Sequence, residues 1–395
     1  MIRLARRLVN YRPCDRGLLV VAGAFSLGCG DPVVVDDDPI VWTRPAETAT
    51  TRPAIDDSFI YFGGNNGAVW AIERDTGELA WRRTLIDGYA VLGDALGMTA
   101  DAVLVPIYEV WAVDRATGSV LWTYGGPDGA AGTRDVATSG NVVFTASQGG
   151  WAAAVDARTG DELWSTDLGE RPWEPSLSEE LVIYGTRGWS DPVARNGALG
   201  AGHVIALRRD DGSEAWRYPL PDSAGFPLSG GAVHGGVIWQ DRVVVGSLST
   251  WAYALRLSDG ELLWSRPNGE SPSIAGYTSP AASIGGLGVF GRANFSIDAW
   301  NLDTGELAWT LDRPSPVHGS VSVGEYLYTI QGRITVGDET GAILWEFGGL
   351  SSSGVGGAAY FSGNVAEDGT IYALRTGVLR GGGTEIQAIR PPIRP

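Results

Sequence analysis

The sequence predicts an all-β protein built as an eight-bladed β-propeller, with tryptophan-docking motifs between blades and the last blade closed by the N-terminal strand. Three observations predict it: one short motif recurs seven times, β-rich runs and Gly-rich turns lie between the copies, and the two chain ends carry complementary fragments of one more repeat.

The motif is plainest in Ala299-Trp-Asn301-Leu-Asp-Thr304-Gly305-Glu306-Leu-Ala-Trp309. Its Gly recurs as Gly77, Gly118, Gly160, Gly212, Gly260, Gly305 and Gly341, each preceded by Thr or Asp. Four residues after each Gly comes Trp81, Trp122, Trp164, Trp216, Trp264, Trp309 or Trp345. Six residues before each comes an Ala, with Thr335 the exception before Gly341. Successive Trp lie 36 to 52 residues apart, which fits a propeller blade of about 40–50 residues. In the first repeat, Phe59-Ile-Tyr-Phe and Val69-Trp-Ala-Ile are β-rich runs joined by Gly63-Gly64-Asn65-Asn66-Gly67, a hairpin signal. Asp-Thr-Gly then turns the chain into the strand ending in Trp81, and a positive φ is expected at Gly77, where a Cβ would be opposed.

The chain ends supply the eighth repeat. Thr370-Ile-Tyr-Ala-Leu and Thr384-Glu-Ile-Gln-Ala388-Ile read as strands of a blade that Pro391 and Pro392 stop before its outer strand. Ile40-Val41-Trp42 reads as an outer strand with nothing before it. Joining them puts Trp42 in the eighth Trp slot and Ala388 in the eighth Ala slot. Such closure hydrogen-bonds the first strand to the last and removes the open sheet edges that invite aggregation.

Composition excludes several function classes. With 44% hydrophobic residues the chain can bury a core, unlike a disordered segment. All 29 basic residues are Arg, and the formal charge is -17 with no basic run. Nucleic-acid binding is therefore not expected, because phosphate neutralisation supplies most of that affinity. Two Cys, Cys14 and Cys29, exclude a disulfide framework and a four-thiolate zinc site.

The N-terminus reads as an address. Basic residues from Arg3 to Arg16 precede an apolar run from Gly17 to Gly28, the pattern of an export signal. The run is shorter than the roughly 20 residues a membrane span needs. Ser26-Leu27-Gly28-Cys29 resembles the lipobox of bacterial lipoproteins, although Leu27 sits one place nearer the Cys than the usual Leu. The expected organisation is a lipoprotein-type signal peptide over residues 1–28, lipidated Cys29 with an acidic tether over 29–39, and a propeller over 40–395. The resemblance implies an exported, lipid-anchored protein at the outer membrane, facing the periplasm or the cell surface.

Over residues 40–395 the repeat slots resemble the tryptophan-docking motif of the quinoprotein-like, or PQQ-like, propellers. That resemblance implies that each Trp packs against the Gly of its own motif and the small residue of a neighbouring one. The length, blade count and signal are similar to those of the BamB family, whose propeller is a non-catalytic scaffold in outer-membrane barrel assembly. This implies a protein partner among barrel-assembly subunits, no catalytic residues, and no cofactor or metal. Two other classes compete: a PQQ-dependent dehydrogenase, and a surface-sensing or ligand-binding propeller. The dehydrogenases use a disulfide of adjacent Cys beside the quinone, whereas removal of the signal would leave this chain only Cys29. PQQ is therefore not expected.

Two candidate sites stand apart from the docking residues. His234 and His318 occupy matching places before two repeat turns, with Asp94, Thr133, Ser279 and Ser362 at the corresponding places of other blades. Together they are expected to form a polar ring lining the channel, filled by water or holding a ligand or metal with the His as donors. The fourth repeat carries an insertion from about Arg187 to Gly202, and the next connection, Tyr218 to Val233, is also long. Because β connections alternate between ends, both should emerge on one face. They hold Arg187, Trp189, Arg195 and Phe226, with Trp173 expected on a nearby connection between blades. Aromatics and Arg are enriched at binding hot spots, so these residues form a candidate partner patch.

Overall fold

In a computed structural model the chain forms eight antiparallel sheets, seven of four strands and one of five. The structure describes residues 38–46, 49–91, 96–127, 133–191, 196–200, 202–220, 236–247, 251–267, 282–292, 296–312, 320–348, 360–376, 384–393 and 395. Signal, Cys29 and most of the tether lie outside the described residues. Among the described residues there is no helix.

Each sheet is one blade, and blades 1 to 7 run in chain order from Ala54–Ile55 to Ile343–Phe347. Blade 8 has strands Tyr360–Val365, Ile371–Thr376 and Thr384–Ile389, and its outer strand is the N-terminal Ile40–Pro45. Trp42 pairs with Ala388, the same cross-strand pair as Ala71 with Trp81 and Ala299 with Trp309. The ring is closed by hydrogen bonds rather than by chain continuity.

The Gly of each turn is in the left-handed region, from φ 68° at Gly305 to 79° at Gly341, where L side chains are strained. In blades 1 to 6 its amide donates to the carbonyl four residues back, as Gly77 does to Glu73 at 2.8 Å. Nine residues lie between the paired Ala71 and Trp81, and a bulge beside them takes up the shift in register.

Blade 7 departs from this pattern. Gly341 donates to Asp338, three residues back, so the turn is one residue shorter. Val336, not Thr335, then stands opposite Trp345, and Thr335 pairs with Glu346. The apparent exception at Thr335 is a deletion in the turn rather than a substitution in the Ala slot.

The direction of docking also differs from the expectation. Each indole reaches the turn of the following blade, not its own. A Cβ added to Gly77 would lie 2.7 Å from Trp42, and one on Gly118 would lie 2.7 Å from Trp81. Gly160, Gly212, Gly260, Gly305 and Gly341 meet Trp122, Trp164, Trp216, Trp264 and Trp309 in the same way. Each indole nitrogen donates into that next turn, as Trp81 does to the Arg115 carbonyl at 2.9 Å and Trp216 to that of Leu257 at 2.7 Å. The small residue beside each Trp is its own blade's Ala, its cross-strand partner. The reason is geometric: paired side chains project from one sheet face, so the indole lies over its own Ala and its far edge meets the next blade. Trp345 differs, because the turn that would follow it is the break between the chain ends. It stacks on Phe347 at 5.6 Å instead.

Candidate docking face

Antiparallel connections alternate ends, so the propeller has two unlike faces. One carries the hairpins between first and second strands and the Gly turns, rich in Asp and Glu such as Asp75, Glu78, Asp303 and Glu306. Side chains of Asp114, Asp156, Asn301 and Asp338 accept amides within these turns, as Asp114 does from Thr117 at 2.8 Å. The Thr117 hydroxyl and the turn amides hold the Asp114 carboxyl below its usual range against a smaller opposing effect of burial. These carboxylates shape the turns, which explains their abundance without chemistry. The opposite face carries the second-to-third-strand connections and the crossings between blades.

The insertion of the fourth repeat emerges on that second face, and it is a hairpin rather than a loop. The second strand runs eleven residues, Leu181–Asp191, and returns as Asn196–Gly200, with Trp189 paired to Leu199. The ribbon extends past the rest of the blade because the innermost strand ends its pairing at Arg171 with Arg187, and the third strand at Val204 with Gly185. Gly202 makes the return possible: a Cβ there would lie 1.9 Å from the Thr186 carbonyl oxygen. Arg195 and Phe226 lie outside the described residues, and of Trp189 only the backbone is described.

Trp173 is not on a connection. It lies in the innermost strand, Arg171–Leu177, because the preceding crossing is only Leu168, Gly169 and Glu170. At the base of the ribbon a polar cluster joins blades 3 and 4. Arg171 reaches Gln148 of blade 3. Glu170 lies 2.5 Å from His203 Nδ1 and 3.7 Å from Arg217, which also pairs with Glu214 at 2.8 Å. The Thr186 hydroxyl accepts from the His203 amide at 2.9 Å and contacts Glu170. His203 thus opens the third strand, half-buried beside Glu170. Burial and the facing Arg171 guanidinium hold Arg187 below the usual arginine pKa.

A second feature of this face was not foreseen. Tyr108 is the single residue between strands Ala102–Ile107 and Glu109–Asp114 and has φ 61°. It stands 41% exposed, edge-on to Tyr89, 53% exposed, at 6.2 Å. The crossing that carries Tyr89 is tied down by Leu85 and Val91 amides donating to Gly67 and Gly64. No repeat signal marks Tyr108, because a one-residue turn looks like uninterrupted strand in the sequence.

Of the expected channel ring, Asp94, Ser279, His234 and His318 lie outside the described residues. Thr133 begins blade 3's innermost strand, and Ser362 is half-buried in blade 8's. Among the described residues no three His, Cys, Asp or Glu side chains come together as a metal would require.

Ring, closure and turn chemistry define an eight-bladed propeller of PQQ-type repeats. The family described as outer membrane protein assembly factor BamB matches residues 5–83 and 108–347, and the chain belongs to that family. It is 29% identical over 228 residues to the outer membrane protein assembly factor BamB of Yersinia pestis, covering 53% of this chain and 55% of that protein. It is also 27% identical over 222 residues to the quinoprotein alcohol dehydrogenase PedH of Pseudomonas putida, covering 49% of this chain and 35% of that one. The chain thus spans only about half of the one relative and about a third of the other. The crystal structure of BamB from Moraxella catarrhalis superposes with a TM-score of 0.62 at 15% identity, over 88% of this chain and 99% of that one, a likeness of fold.

Proposed function

We propose that the protein is a non-catalytic envelope scaffold, anchored by lipid at Cys29, that docks an outer-membrane assembly partner on the face bearing the blade 4 ribbon. The observation that carries this reading is the ribbon itself. Residues 188–191 and 196–200 extend beyond a ring whose blades are otherwise four-stranded, on a base held by Glu170, His203 and Arg217. A preformed projection on a rigid frame binds with little ordering cost. The acidic turn face repels anionic surfaces, and Ile40–Pro45 begins at that face. Membership of the BamB family supports the assembly role.

The test is a crosslinked pull-down of the native lipoprotein from solubilised membranes, beside a variant with residues 189–200 replaced by a two-glycine turn. Recovery of barrel-assembly subunits by the native protein and their loss in a folded variant is expected. Their absence from the native capture, with a known assembly subunit recovered in parallel, overturns the reading. Cys29→Ala is expected to release the protein from the membrane fraction. The relationship to PedH motivates one alternative, a quinone enzyme. Dye-linked alcohol oxidation after incubation with PQQ and calcium would establish it.

A further inference from the structure

The eight seams between blades are not equally latched. At the seam between blades 8 and 1, besides Trp42 on Gly77, Arg74 bridges to Tyr372 at 3.1 Å and to Asp368 at 2.9 Å. Between blades 1 and 2, Arg115 grips Asp56 and the Ala100 carbonyl. Between blades 3 and 4, the Arg209 guanidinium lies 5.2 Å over the Phe144 ring. Trp42, Trp81, Trp122, Trp164, Trp216 and Trp264 are 7–9% exposed, whereas Trp309 at the seam of blades 6 and 7 is only partly buried.

That seam is weakened along its length. At the turn end, an open surface cleft of about 600 Å³ is lined by Ile284 and Gly285 of blade 6 and by Tyr326, Glu339 and Leu344 of blade 7. Farther in, the cross-strand row Ser320, Thr329, Thr335, Glu346 spans blade 7. Thr329 lies between Tyr328 and Ile330, which pack toward blade 8, and shares the side of Leu327, which packs on Val289 and Ala299 of blade 6. The row therefore faces blade 6. The equivalent row in blade 1 is Phe62, Trp70 and Arg82, with the aromatic rings stacked at 5.4 Å, and in blade 5 it is Val245, Tyr253 and Ser265. Ser320 and Thr329 are 8% and 3% exposed, and neither hydroxyl has a hydrogen-bond partner. A buried hydroxyl without a partner destabilises the packed state relative to an open one where water can reach it.

We propose that the ring opens at the seam between blades 6 and 7, with blade 7 acting as a flap, rather than within blade 8, where the terminal strands pair. Opening there exposes the apolar strip of Val289, Ile297 and Leu327 while the Trp42 latch stays shut. Hydrogen exchange of the full chain, read by mass spectrometry, tests this. Amides of Tyr326–Gln331 and Arg333–Gly337 exchange at least about tenfold faster than those of Ala102–Ile107 and Glu109–Asp114 in blade 2, the behaviour of a locally opening unit. Thr329→Val replaces the hydroxyl with a methyl of similar size, slows blade 7 exchange and raises Tm by about 2–4 °C. Ser320→Ala acts in the same direction should the Val variant fail to fold. Equal protection of blades 2 and 7, earlier exchange at Ile40–Pro45, or a lower Tm in both variants overturns the proposal.

Discussion

Docking onto the following blade can be tested by coupling Gly77 to two different tryptophans. Gly77→Ala forces an L residue to φ 69° and drives a methyl to 2.7 Å from the Trp42 indole. The backbone part costs about 1–2 kcal/mol, and the overlap about 1–3 kcal/mol more. Trp42→Ala removes an indole that is 8% exposed and its 3.1 Å hydrogen bond to the Arg74 carbonyl, at about 3–5 kcal/mol for the side chain and about 1 kcal/mol for the bond. Without the indole only the flexible Arg44 side chain, at 3.0 Å, remains against the added methyl, so the double variant is less destabilised than the sum by about 1–3 kcal/mol. Trp81→Ala, in the same blade as Gly77 but docked on Gly118, combines with Gly77→Ala additively within about 0.5 kcal/mol. Urea denaturation followed by tryptophan fluorescence and circular dichroism measures all the variants. Coupling of Gly77 to Trp81 rather than Trp42 would refute the docking direction. A Trp42→Ala loss under about 1 kcal/mol would refute closure by the N-terminal strand.

Other outcomes follow from single contacts. Burial pushes the Asp56 carboxyl up, but the Phe59 amide, Arg115, Tyr61 and the Ser58 amide outweigh it and hold the pKa below its usual value. The Asp56 contribution is therefore complete above the unfolded value of about 3.9 and is lost as pH falls through the lower folded value. The urea midpoint of Asp56→Asn should fall short of the parent's at pH 7, by an amount that shrinks below about pH 4. Asp298→Ala removes the carboxylate that pairs with Arg292 at 3.2 Å, side chains 4% and 1% exposed; it should destabilise the fold by up to about 3–5 kcal/mol, while Arg292→Met with Asp298→Leu costs less. Tyr108→Gly relieves the φ of 61° and should leave stability unchanged or raise it by up to about 1 kcal/mol. A drop of more than about 1 kcal/mol in thermal melts would mean that the Tyr89 contact holds the turn.

Much of the ring was legible because its grammar is local. Seven Gly turns with a Trp at fixed spacing count blades, and the pairing of Trp42 with Ala388 follows from filling the one empty slot. The blade 7 deletion was visible only as an odd Thr335, since a missing residue and a substituted one read alike until register is known. The ribbon read as a loop because Gly and Ala carry little strand signal, and Trp173 read as connection because its crossing is unusually short. Arg74, Arg115 and Arg209 share one motif position with Ala157, Leu257 and Leu302, so nothing in their spacing marked them as latches.

By itself the sequence determined the blade count, the strand order within each blade, the Gly conformation of every turn, and which two ends meet. These rest on contacts between residues near in the chain, or on a repeat with one member missing. Only the tertiary structure decided which turn each indole enters, which seams carry Arg latches, and where buried hydroxyls face a neighbour without partners. Such contacts cross from one sheet to the next, and the face a side chain presents there depends on strand register and ring order rather than on the period of the motif.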